Sequence, residues 1–239
     1  MSLRPLLISV RDHSDPMVQH ELRCFEAAVG GPIDMVFAID EQLNEGLLAH
    51  RPGIFFGGSG QYGVNGPEPW IRHLIDFMLL VVDRKVPAYA SCFGFQGLAV
   101  ALGGEVSSDP TYQEMGIITV DRLDASKGDD LFGGLPIEVA VPSGHNDHVS
   151  RLPSGVTLLA TGRHCYHQAL KVDGAPFWAS QFHPELTKWT LIDRWNFYRD
   201  KFSTDPVEIE RVDNELHSAP ETPLIGSVLK KLLTLRCLP

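Results

Sequence analysis

The chain has 239 residues, 44% of them hydrophobic and 21% charged, with 20 Lys+Arg against 30 Asp+Glu for a formal charge of −10. That composition supports a buried core and excludes disorder of the whole chain. The acidic balance, with no basic run longer than Lys230-Lys231, argues against a nucleic-acid partner. No apolar stretch approaches the ~20 residues of a membrane helix, and the start Met1-Ser2-Leu3-Arg4-Pro5 lacks a signal-peptide core. A cytoplasmic protein with no membrane partner is expected.

Strands and helices alternate along the first half. Leu6–Val10 reads as a buried strand, and Pro16 opens a helix running to about Ala28 before the Gly30-Gly31-Pro32 break. Asp34–Ile39 is a second strand, Gln42–Ala49 a short helix, and Gly53–Phe56 a third strand that opens onto the glycine-rich loop Gly57–Gly63. Pro67 and Pro69 begin a helix with Ile71, Leu74, Ile75, Met78 and Leu79 on one face. Val86–Ala90 is a fourth strand, and Gly94–Leu102 a helix stopped by Gly103-Gly104. Such alternation predicts a parallel sheet covered on both faces.

The texture then changes to short β-like runs: Gly116–Val120, Ile137–Val141, Thr157–Thr161, Ala169–Val172 and Phe177–Gln181. A long helix over about Leu186–Phe202 follows, and the tail predicts further helices around Ser218-Ala219-Pro220. The expected fold is therefore α/β: a flavodoxin-like, mostly parallel central sheet with helices on both faces, a small antiparallel strand addition and C-terminal helices. Residues 1–202 are expected to form one domain, with 203–239 a helical extension packed on it.

The four cysteines (Cys24, Cys92, Cys165, Cys237) are scattered, with no CxxC pair for zinc or redox chemistry. Cys92 differs from the rest because it lies between the strand Ala88–Ala90 and a helix. A tight strand-to-helix turn lifts a nucleophile out of a sheet, and the helix N-terminus favours its thiolate. The backbone N–H of Phe93 then faces any oxyanion. Taken alone, the stretch fits a small core cysteine equally well. A base is needed, and of ten histidines His183 has the best reason. It follows a strand, precedes a helix, and has Glu185 two positions on to orient its ring. Without Cys92, that pair reads as a surface histidine beside a helix start. The loop Gly57-Gly58-Ser59-Gly60 exposes N–H groups suited to an oxyanion or a phosphate, but it lacks the Lys-Ser/Thr ending of a P-loop.

Taken together, Ser91-Cys92-Phe93-Gly94-Phe95-Gln96, Leu102-Gly103-Gly104, Glu114-Met115-Gly116, Gly144-His145-Asn146-Asp147-His148-Val149 with Leu152-Pro153, Gln168-Ala169 and Gln181-Phe182-His183-Pro184-Glu185 resemble the class I glutamine amidotransferases. The resemblance spans roughly Leu6 to Phe202 and is nearest the GMP-synthase-like glutaminase group. It implies Cys92 as nucleophile, His183 as base and Glu185 as its orienting partner. It further implies an oxyanion hole from Gly58 and Phe93, and substrate contacts from Gln96, Gly57, His145 and Asn146. Neither metal nor organic cofactor is implied. The implied substrate is glutamine or a γ-glutamyl compound, and the implied partner is a synthetase or acceptor subunit. Phe95 and Ser143-Gly144-His145 depart from the family's pattern beside the expected pocket, which keeps a γ-glutamyl peptidase reading open. A non-catalytic glutamine-binding subunit is the remaining alternative, and an intact Cys92, His183 and Glu185 weigh against it.

Overall fold

The computed structural model describes residues 3–40 and 43–235. Its first half alternates as expected: β1 (Leu6–Ser9), α1 (Met17–Val29), β2 (Asp34–Phe37), β3 (Ile54–Phe56), α2 (Pro69–Asp83), β4 (Ala88–Ser91) and α3 (Phe93–Ala101). The second half is strand-rich: β5 (Glu105–Ser107), β6 (Glu114–Arg122), β7 (Glu138–His145), β8 (His148–Arg151), β9 (Val156–Gly162), β10 (His167–Val172) and β11 (Phe177–Ser180). It closes with α4 (Lys188–Phe202), α5 (Pro206–Ser218) and α6 (Ser227–Leu232).

Nine strands form one sheet in the order β2-β1-β3-β4-β11-β10-β9-β6-β7. The strands from β2 to β11 are parallel, and each pairing from β11 to β7 is antiparallel. The antiparallel addition thus continues the main sheet, while β5 and β8 make a separate ribbon that the sequence pattern did not reveal. Alternation within single strands explains the two covered faces. In β1, Leu6 and Ile8 pack with α2 and α3, whereas Leu7 packs with α1 and α6. The same alternation in β4 sends Ala88 and Ala90 to one face and Tyr89 to the other.

Helix starts follow local chemistry. The side chain of Thr187 accepts from Thr190 N–H and that of Thr190 from Thr187 N–H, a capping box that starts α4 at Lys188 instead of the expected Leu186. Pro69 occupies the first turn of α2, where its missing N–H costs nothing. Of the helix expected over Gln42–Ala49, only a single turn forms, at Glu45–Leu47; Gln42 lies outside the described residues. The tail does not stand apart from the rest. Val228, Leu229 and Leu232 of α6 are buried in the core beneath the sheet, and Val212 and Leu216 of α5 pack with Leu191 and Trp195 of α4.

Candidate functional site

Three neighbouring parallel strands, β3, β4 and β11, end on one rim and deliver the glycine loop, Cys92 and His183 respectively. Open α/β sheets bind ligands at this edge. Cys92 has φ 53° and ψ −105°, a strained conformation for a non-glycine residue, and its N–H donates to Ser180 O at 2.8 Å. The turn is tight enough that a Cβ on Gly94 would meet the Phe56 carbonyl oxygen at 2.9 Å and Ala90 Cβ at 3.0 Å. Only glycine lets α3 approach the sheet this closely.

His183 hangs from the end of β11, with its N–H on Pro142 O at 2.8 Å. Pro142 lies in β7, an edge strand, where a missing ladder donor is tolerated. The ring's Nδ1 is 2.7 Å from Glu185 Oε1, while the Cys92 thiol donates to Gly144 O at 3.7 Å. Burial opposes a charged ring here. The charges of Glu185 and then Cys92 outweigh it and raise His183 from 6.5 to about 9. Burial likewise opposes the Glu185 carboxylate, yet His183 and then Arg194 hold it down at about 2. Gly58 covers the pair closely: a Cβ there would sit 2.8 Å from His183 Cε1 and 3.5 Å from Cys92 Cβ.

The Gly58 N–H, expected to face an oxyanion, instead donates to Glu21 Oε1 at 3.1 Å. Gly57, expected to touch substrate, lies behind the cavity. Its N–H donates to Ile8 O, and a Cβ would strike the Glu21 carboxylate at 2.8 Å. Phe93 N–H, by contrast, starts α3, where backbone donors lack helical partners.

Cys92 opens into a cavity of about 280 Å³, whose walls include Phe93, Gln96, His145, Asn146, Asp147 and Tyr198. That is near the lower end of the ~300–1,000 Å³ of small-molecule sites. The Gln96 amide donates to Asp147 O at 2.7 Å and to Gln181 Oε1 at 3.2 Å, so it braces the wall. His145 is braced as well: Nε2 meets Glu114 Oε2 at 3.0 Å and Nδ1 meets Asp147 O at 3.0 Å. Gln168 Nε2 and Cys165 N–H also donate to Glu114, fixing its carboxylate beneath the turn. Asn146 accepts from Gln113. Phe95, expected beside the pocket, is wholly buried in the core with α2 and α3 and does not border the cavity. Gly144 does border it, against Met115.

Sequence reasoning missed Glu21, Arg11, Arg194 and the acidic wall residue Asp147. The first three are buried at 0%, 2% and 6% exposure, which is rare for charged groups and requires partners. A faint signal existed: Glu21 falls at helical spacing in the apolar stripe Val18–Glu21–Phe25–Val29. Cys24 and Cys165 are buried, and burial pushes their thiols up to about 11 and about 12. Cys237 lies outside the described residues. Among the described residues no His/Cys/Asp/Glu group could hold a metal ion, and no helix is long and apolar enough to cross a membrane.

Residues 33–192 match the family model described as glutamine amidotransferase class-I. Two curated relatives are named as subunits of glutamine-hydrolyzing GMP synthase. The one from Thermococcus kodakarensis is 32% identical over 144 residues, covering 59% of this chain and 71% of the relative. The other, from Pyrococcus furiosus, is 32% identical over 133 residues, covering 56% of this chain and 65% of the relative. The crystal structure of a glutamine amidotransferase from Thermotoga maritima superposes with a TM-score of 0.72 at 21% identity, over 98% of this chain and 97% of that one. The crystal structure of a protein described as a GMP synthase subunit, from Thermoplasma acidophilum, gives 0.62 at 22% identity, over 84% of this chain and 98% of that one.

Proposed function

The chain belongs to the class I glutamine amidotransferase family, and from that premise we propose that it hydrolyses a γ-glutamyl amide by acyl transfer through Cys92, His183 and Glu185. One observation carries the reading. A cysteine on a strained turn shares the rim at Gly58 with a histidine that is itself held 2.7 Å from a buried carboxylate, and it opens into a ligand-sized cavity.

Cys92 sulfur attacks the amide carbon, forming the C–S bond and moving the carbonyl electrons onto oxygen. Phe93 N–H receives that oxyanion, and Gly58 N–H joins it by turning away from Glu21. His183, charged at neutral pH, gives its proton to the leaving nitrogen as the C–N bond breaks. The now neutral ring takes a proton from water, which attacks the thioester and restores the thiolate. Glu185 keeps the ring oriented throughout. Asp147, the acidic side chain on the cavity wall, is placed to pair with a substrate ammonium.

Free glutamine releases ammonia in this scheme, whereas a γ-glutamyl peptide releases an amine. The need to turn Gly58 out of its bond to Glu21 favours slow turnover of glutamine alone. The relatives' names describe a subunit, which supports an acceptor partner that completes the site. Ammonia and glutamate release are to be measured with glutamine and with γ-glutamyl peptides. Purified protein alone should turn glutamine over well below the ~10 s⁻¹ typical of enzymes, and either γ-glutamyl peptides or an added acceptor subunit should raise the rate. Turnover at that typical value with glutamine alone would make the chain a self-sufficient glutaminase. Turnover that survives in Cys92→Ala would remove the mechanism.

A further inference from the structure

Behind the triad, buried charges alternate in sign across elements far apart in sequence. Glu185 Oε1 stands 3.5 Å from Arg194 Nη1 on α4, and Arg194 Nη2 stands 3.7 Å from Glu21 Oε1 on α1. Glu21 Oε2 in turn lies 3.2 Å from Arg11 Nε, just past β1, and Arg11 Nη1 pairs with Asp15 at 3.0 Å. Counting His183 as charged, three cations (Arg11, Arg194, His183) face three carboxylates (Asp15, Glu21, Glu185). Burying such groups is costly, and packing alone would be better served by apolar residues. Glu21 and Arg194 also fall outside the segment 33–192 that matches the family model.

We propose that Arg194 and Glu21 are positioning residues for the Cys92–His183–Glu185 site: Arg194 holds Glu185 as a carboxylate aimed at His183, and Glu21 holds both Arg194 and the Gly58 backbone. Glu21 is suited to this double task. A single oxygen, Oε1, receives Gly58 N–H and faces Arg194. Arg194 Nη1 is also 3.2 Å from His183 Nδ1, so its charge acts on the ring as well as on the carboxylate. The proposal rests on the reading of Cys92 and His183 as nucleophile and base.

A cation favours the deprotonated form of every neighbour and a carboxylate the protonated form, so the two residues should shift the site in opposite directions. The other titratable groups facing this cluster stay uncharged over the working range. Burial, then Arg194, drives His20 down to about 4; burial raises Cys24 to about 11 and Tyr198 to about 12. Asp15 is held below the usual carboxylate range despite its burial, by Met17 N–H and Arg11, and so stays charged. Between about pH 5 and 10 these neighbours keep their charge states, so an effect of Arg194 or Glu21 on the reactivity of Cys92 is read against a fixed surround.

The test follows the rate of Cys92 alkylation by iodoacetamide against pH, read by peptide mass spectrometry, together with thermal unfolding of each variant. This readout needs no substrate. Arg194→Met should move the alkylation midpoint up by roughly half a unit to one unit, and Arg194→Lys should bring it back. Glu21→Gln keeps the shape and the acceptor for Gly58 and should move the midpoint down. A folded Arg194→Met with an unmoved midpoint overturns the proposal, as does Glu21→Gln shifting upward. Should Arg194→Met fail to fold, the sign of the Glu21→Gln shift decides. Unmoved midpoints beside normal ammonia release would reject the positioning pair alone. The expected shifts without any γ-glutamyl hydrolysis would reject the function and leave the pair standing.

Discussion

The two halves of the central sheet do different work. In the parallel half, β3, β4 and β11 bring their carboxyl ends to one rim, so the glycine loop, Cys92 and His183 meet with little further effort. In the antiparallel half, strand ends alternate between rims, and Met115 of β6 together with the end of β7 and its turn into β8 lines the cavity. That turn is held by a side-chain network, Glu114 to His145 and Gln96 to Asp147 O. Topology positions Cys92 and His183, whereas hydrogen bonds position the wall. Damage to the parallel half should therefore strike kcat, and damage to the antiparallel half should strike KM.

The largest effect belongs to Cys92. Under the proposed mechanism Cys92→Ala should lower turnover by at least ~10³-fold, because a site without its nucleophile keeps only the catalysis of binding and the oxyanion site. Steady-state release of ammonia or amine checks it. Glu185→Gln comes next, with kcat falling by ~10²-fold or more and KM nearly constant, since an orienting carboxylate acts chiefly in the transition state. An unchanged kcat would demote Glu185 to a structural partner of Arg194.

The same pair has a signature in stability. His183, raised from 6.5 to about 9, contributes stability fully present below pH 6.5 and lost as pH climbs through about 9. Glu185, lowered from 4.5 to about 2, contributes stability present above pH 4.5 and lost as pH falls through about 2. The Tm advantage of wild type over Glu185→Gln should therefore be greatest between about pH 4.5 and 6.5 and shrink toward pH 9. Differential scanning calorimetry across that range measures it. A constant difference would show that the pair is not ionised as described.

Gly94→Ala probes the packing that makes the parallel rim work. Its methyl would meet the Phe56 carbonyl oxygen at 2.9 Å, a backbone atom that cannot swing away. A loss of ~1–3 kcal/mol in chemical denaturation is expected from such overpacking. The smallest effect falls in the antiparallel half. Glu114→Gln keeps the shape but removes the carboxylate beside His145, and should raise KM by up to ~10-fold with kcat largely kept. A fall in kcat equal to that of Glu185→Gln would erase the distinction between the halves.

Much of this architecture is local and was legible as such. Cys92, His183 and Glu185 could be picked out because strand, tight turn and helix start are written in consecutive residues. Alternation of strands and helices likewise implies a parallel sheet, and a parallel sheet implies a shared rim. The β5–β8 ribbon was not legible, since three- and four-residue strands carry too little periodicity. Phe95 was misplaced for a related reason: proximity to Cys92 in sequence says nothing of which way a helix residue points. The short helix expected after β2 reduced to the single turn Glu45–Leu47, with Gly46, a poor helix former, in its middle.

Sequence alone determined the fold class, the family resemblance and the three residues proposed for the chemistry. Tertiary structure alone decided what surrounds them. Glu21 and Arg194 sit on helices at opposite ends of the chain, and neither carries a local sign of its partner. Only the packing of α1 beside α4 buries both and sets their charges within ion-pair reach. Gly58 followed the same rule: its N–H direction depends on a carboxylate from another element, and no local pattern in the glycine loop encodes it. Backbone signals act over a few residues, whereas buried charges are assigned partners only when distant elements close on one another.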